Sequence, residues 1–114
     1  MRKPKYYIGE FEELVLMAIV SLREKAYGVK IGDAIEQATA RSVSIGALYT
    51  TLSRLEEKGL ISSWMGEATS ERGGRAKKYF KIEAPGKLAL NHADASRRRL
   101  ANLKPSLNLI GVVS

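Results

Sequence analysis

Two groups of residues in this sequence carry side chains that could do chemistry. Ser44, Gly46, Tyr49, Thr50, Ser53 and Arg54 combine short hydroxyls, a phenol and a guanidinium at helical spacing. Arg72, Gly74, Arg75, Lys77 and Lys78 set cations around a glycine pair. Such groups make reversible hydrogen bonds and ionic contacts to anionic oxygens and to the polar edges of planar rings. The parts needed to make or break a bond are missing. The single histidine, His92, has no nucleophile motif around it. There is no cysteine, which excludes disulfides, thiolate metal sites and a thiol nucleophile. One histidine cannot build a histidine metal cluster. Glu10, Glu12 and Glu13 read as carboxylates favoured in a first helical turn rather than as a catalytic pair. No catalytic residue, metal or cofactor is expected.

The elements that must hold these groups follow from periodicity and punctuation. Phe11, Leu14, Val15, Ala18 and Leu22 recur as one face of a helix. Leu16, Ile19 and Val20 widen that face, so one side suits the chain's own core and another a partner subunit. Gly28 marks a break, and Tyr27, Ile31, Ala34, Ile35 and Ala38 give a second helix at roughly 28–39. After a turn at 40–43, Ser44 suits the N-cap of a third helix. Ile45, Leu48, Leu52 and Leu55 are assigned to its core face, which leaves the hydroxyls and Arg54 on other faces. Gly59 supplies a left-handed stop. Residues 60–65 read as a strand, 67–75 as a loop and 77–82 as the return strand. Pro85 opens a last helix, about 85–103, which Pro105 ends. Ala89, Ala93, Ser96, Leu100 and Leu103 form a narrow stripe on it, suited to a helix–helix seam. Three helices followed by a basic hairpin make an α+β, mostly helical domain, a winged helix-turn-helix with a two-stranded wing and one further helix.

Charge points to the partner. The 114 residues carry a net charge of +7. Between Glu71 and Lys81 there are five cations and one acid, so more than half of that charge sits in eleven residues. The composition favours an anionic partner, and nucleic acid is the commonest one. Gly73-Gly74 would let an arginine tip reach into a groove. A helix with short polar groups can enter a major groove, where base edges are read. Each group has a plainer reading: a solvated helix face, and an edge hairpin guarded by charge. The edge reading does not account for charge gathered at one tip. Arg97-Arg98-Arg99 is assigned to a solvated face, and Trp64 to packing. No stretch is long enough to span a bilayer and no signal peptide is seen, so a cytoplasmic place is expected. The expected organisation is a winged-helix unit over 1–84 with a basic N-terminal arm, a dimerisation helix over 85–104, and an apolar tail over 105–114.

Four motifs together resemble one known family. Tyr27-Gly28-Val29-Lys30-Ile31, Ser44-Ile45-Gly46-Ala47-Leu48-Tyr49, Arg54-Leu55-Glu56-Glu57-Lys58-Gly59-Leu60-Ile61 and Gly74-Arg75-Ala76-Lys77-Lys78-Tyr79-Phe80 are similar, in order and spacing, to the PadR transcriptional regulators. The resemblance covers roughly residues 8–90 and is to the smaller subgroup with a single C-terminal helix. It implies a repressor that binds a pseudo-palindromic double-stranded operator as a homodimer, through the third helix and the wing. It implies dimerisation through the last helix, with the first helix contributing, which assigns Leu16, Val20, Ala89, Ala93, Ser96, Leu100 and Leu103 to the interface. It also implies a small-molecule effector near that interface. Ala76 and Lys77 stand where the family commonly has proline and arginine, so a less rigid wing is expected. The last helix carries no tryptophan on which a flat ligand could stack. The alternatives are a winged-helix protein-interaction module with no operator and, less favoured, an RNA-binding module, for which the aromatics are too sparse.

Overall fold

The computed structural model describes residues 7–66 and 76–103. Helix α1 spans Glu10–Leu22, and a short 3-10 turn follows at Arg23–Lys25. Then come α2 at Gly28–Thr39, α3 at Ile45–Glu57, strands β1 at Ile61–Met65 and β2 at Lys78–Ile82, and α4 at Ala84–Leu103. Helix α1 is the centre of the domain and packs against α2, α3, α4 and β2. Its Val15, Leu16, Ala18 and Ile19 are buried. They join Ile31 and Ile35 of α2, Leu48, Leu52 and Leu55 of α3, Ile61 and Phe80 of the sheet, and Ala89 of α4 in one apolar core. The core thus collects a stripe from every element, which is what makes one cooperative unit of short pieces that would be marginal alone.

The junctions are set by local chemistry. The Gly9 amide donates to the Glu12 carboxylate at 2.9 Å, one half of a capping box. Helix α2 ends at Ala40 in the left-handed region, φ 60 and ψ 20, with its amide on the Glu36 carbonyl. The turn into α3 is then tied down by the Val43 amide, which donates to the Glu36 carboxylate at 2.7 Å. Ser44 is the N-cap of α3 and accepts from the Ala47 amide at 3.1 Å. At the other end the Leu60 amide reaches the Leu55 carbonyl and the Gly59 amide the Glu56 carbonyl. With Gly59 at φ 76 this is a Schellman stop, and it delivers the chain directly into β1.

Strands β1 and β2 pair antiparallel, with Ile61 opposite Ile82, Ser63 opposite Phe80 and Met65 opposite Lys78. The Phe80 amide also donates to the Ala26 carbonyl at 2.8 Å, and Tyr27 bridges Tyr79. The stretch before α2 therefore extends the hairpin, a pairing that no period-two pattern announces. Gly86 lets α4 start close to the sheet: a Cβ there would stand 2.3 Å from the Leu60 carbonyl oxygen.

The structure corrects three expectations. Ile45 is not core: burial along α3 begins at Leu48, and Ile45 is 74% exposed because no neighbouring element covers the first turn. Leu16 and Ala89 are fully buried inside the chain's own core, so neither offers surface to a partner. The α4 stripe packs first on its own α1 and emerges only toward its C-terminal end. Ala93 lies against the core, while Leu100 and Leu103 are exposed.

Candidate nucleic-acid interface

Helix α3 separates its residues cleanly. Leu48, Thr51, Leu52 and Leu55 face inward. Gly46, Tyr49, Thr50, Ser53 and Arg54 are all exposed. At 3.6 residues per turn, Gly46, Thr50, Ser53 and Glu57 fall on the line opposite the buried stripe, with Tyr49 and Arg54 on its two flanks. Ser44 is exposed too, but its hydroxyl is held by the Ala47 amide, so its first task is to start the helix. Gly46 has no internal reason to be glycine: its φ is not positive, and a Cβ there would meet nothing within 4 Å. A glycine inside a helix costs about 1 kcal/mol against alanine. The outer face of α3 is therefore narrow, short-chained and open.

Tyr49 is partly committed to the fold. A Cβ on Gly28 would stand 2.0 Å from its hydroxyl oxygen, so glycine at the first residue of α2 makes room for the Tyr49 ring. The ring remains 43% exposed. Next to Gly28, Tyr27 meets Tyr79 edge-on at 5.4 Å, and the Lys77 ammonium sits over the Tyr27 ring at 5.3 Å. Tyr49, Gly28, Tyr27, Tyr79 and Lys77 thus join α3, the start of α2 and the return strand of the hairpin into one connected surface.

Of the wing residues named from sequence, Lys77 and Lys78 are described; Arg72, Gly74 and Arg75 lie outside the described residues. Lys78 is shared inward, 4.0 Å from a Glu56 oxygen and 5.8 Å from the Phe80 ring centre. Glu56 also accepts from the Ser63 hydroxyl at 2.6 Å, linking the end of α3 to β1. Sequence reasoning missed Tyr27. Its signal was present in the Tyr27-Gly28 pair, a ring beside the one residue able to admit a second ring.

Two carboxylates at the start of α1 fix the frame around this surface. Glu12, nearly buried, accepts from the Lys58 ammonium at 2.9 Å just past the end of α3. Burial pushes the Glu12 carboxyl up, but the Gly9 amide and Lys58 outweigh it, and the group stays below its ordinary value. Glu13 accepts from Arg97 of α4 at 2.6 Å. That hydrogen bond, together with the Glu13 charge, raises the Arg97 pKa above its ordinary value. Arg97 is exposed, as the solvated-face reading expected, and from that face it also ties α4 to α1. Among the described residues no cluster of His, Cys, Asp and Glu could hold a metal, and no helix is long and apolar enough to cross a membrane.

This architecture has known counterparts. A PadR family regulator from Clostridium difficile superposes with a TM-score of 0.67 at 24% identity, covering 88% of this chain and 98% of that one. A PadR-like transcription factor from Bacteroides fragilis gives 0.64 at 26% identity, covering 88% of each chain. A PadR-like regulator from Bacillus cereus gives 0.67 at 24% identity, covering 88% of this chain and 90% of that one. Among curated proteins none matches. The model of the PadR-like transcriptional regulator family matches residues 15–92, which include all of α2, α3, β1 and β2. The chain belongs to the PadR-like family of transcriptional regulators, and its fold is a winged helix.

Proposed function

We propose that this regulator is a repressor that binds a pseudo-palindromic operator as a homodimer, in the cytoplasm, with α3 in the major groove and the hairpin against the flanking backbone. The observation that carries the reading is the outer face of α3: Gly46, Thr50 and Ser53 stand exposed on one line, with Tyr49 and Arg54 beside it. Hydroxyls and a guanidinium match the donors and acceptors of base edges and phosphates. Arg72, Arg75 and Lys77 supply the phosphate contacts of the wing.

The dimer reading rests on α4. Val20 of α1 and Leu100 and Leu103 of α4 are exposed apolar groups near a helix clamped to the head by Arg97, and a second copy would cover them. Two recognition helices related by a two-fold axis would then enter successive major grooves, about 34 Å apart. An effector near that interface has a place to go. A cleft of about 520 Å³ lies between α1, the sheet and α4, lined by Ile19, Val20, Trp64, Ile82 and Leu90, with Arg23 and Lys87 at its edge. That volume is within the usual range for a small-molecule site.

The test is binding of a labelled duplex from the promoter of the chain's own gene, measured against salt. Several neutralised phosphates should give an affinity that falls steeply with salt. An interaction module without an operator predicts no specific shift and a wing that tolerates charge reversal. A flat salt response, or equal binding to unrelated duplexes, would count against the operator reading.

A further inference from the structure

The first turn of α3 consists of Ile45, Gly46 and Ala47, all three exposed. None of these side chains carries a hydrogen-bond donor or acceptor. Yet the N-terminal residues of a helix in this position are the ones that meet base edges. Ile45 is 74% exposed, the most exposed of the large apolar side chains described. The fold gives no reason for it. Ser44 already caps the helix, the buried stripe starts at Leu48, and a β-branched residue is a poorer helix former than alanine. Gly46 beside it leaves open space where a side chain would stand. An apolar group beside cleared space on a groove-facing turn can read only an apolar feature. Among base edges in the major groove, the thymine methyl is that feature.

We infer that Ile45 is a specificity-determining residue that packs on a thymine methyl in each operator half-site. The inference rests on the operator reading and adds the base it selects. The polar line of Thr50 and Ser53 addresses hydrogen-bonding edges further along the helix, and Ile45 adds discrimination by shape. Covering one methyl group accounts for about fourfold in affinity.

The experiment uses the full chain and duplexes enriched by it from a random pool. In the enriched duplex each thymine is replaced in turn by deoxyuridine, which removes only the methyl. Affinities are measured for the wild type and for Ile45→Ala, whose helical content by circular dichroism should be unchanged. The expected result is one position per half-site where deoxyuridine costs the wild type about fourfold and costs Ile45→Ala nothing. Enrichment with deoxyuridine effects that are the same in both proteins overturns the Ile45 assignment and leaves the operator reading standing. Failure to enrich any duplex overturns both.

Discussion

Helices α3 and α4 both carry apolar stripes, and they spend them differently. In α3 the stripe of Leu48, Leu52 and Leu55 is wholly buried within the chain, and apart from Ile45 in the first turn the rest of the helix is polar or small. In α4 only Gly86 and Ala89 are buried, and the stripe runs out into Leu100 and Leu103, exposed at 66% and 69%. A helix whose apolar face is satisfied at home is free to offer its other face to a polar partner. A helix whose apolar face is half satisfied still needs a cover. The first arrangement suits DNA recognition, and the second suits self-association.

The strongest way to break this contrast is to truncate each stripe. Leu52→Ala removes a fully buried side chain and should cost about 2–5 kcal/mol in chemical denaturation. Leu100→Ala should change protomer stability by less than about 0.5 kcal/mol while weakening self-association in sedimentation. Equal losses of stability from the two would mean that α4 is as internal as α3.

The glycines sharpen the same point at smaller scale. Gly86→Ala drives a Cβ into the Leu60 carbonyl oxygen, a backbone atom held by the sheet, and should cost about 1–3 kcal/mol. Gly28→Ala meets the far end of the Tyr49 side chain, which is partly exposed and can swing away. Its stability loss should be the smaller of the two, and its effect on DNA affinity the larger. The reverse ranking would separate Tyr49 from the binding surface.

Acid should loosen the frame that holds α3 to α1. The Glu12 carboxyl sits below its ordinary 4.5 in the folded chain, so its stabilisation is complete above that pH and is lost as pH falls through the folded value. Glu12→Gln should therefore cost about 1 kcal/mol at neutral pH, a figure kept low because Lys58 is partly solvated. The difference from wild type should vanish in acid. A gap that persists at low pH would show that Glu12 acts by packing rather than charge. The smallest effect has the opposite sign. Ala40→Gly relieves a left-handed alanine at the end of α2 and should stabilise by about 1 kcal/mol or less.

Much of this fold was legible where a residue's own physics decides its place. Ser44 as a cap, Gly59 as a left-handed stop and the leucine stripe of α3 all stand where spacing put them. The bounds of α2 and the pairing of the two strands follow in the same way. What spacing could not decide was which neighbour covers a stripe. Ile45 keeps helical register with Leu48 yet sits one turn beyond the packing of α1 and α2. Leu16 and Ala89 satisfy the pattern of an intermolecular seam, but α1 and α4 of the same chain reach each other first. The Tyr27–Tyr79 pairing was hidden because it depends on where β2 passes after the intervening segment. Thr50 and Ser53 stood out in the sequence as candidates to touch DNA, because short hydroxyls on the outer side of a capped helix have no structural work of their own. Ser44 and Tyr49 differ, since Ser44 caps the helix and Tyr49 serves the fold at Gly28 as well as the surface.

If the outer face of α3 reads sequence, changing one side chain on it must change which duplex the protein prefers. Selection of duplexes from a random pool by the wild type and by Thr50→Val should enrich related two-fold symmetric sites. The two consensus sequences should differ at the same position in both half-sites and agree elsewhere, because the cations of the wing are untouched. Identical preferences in the two proteins, or no enriched sequence in either, would contradict it.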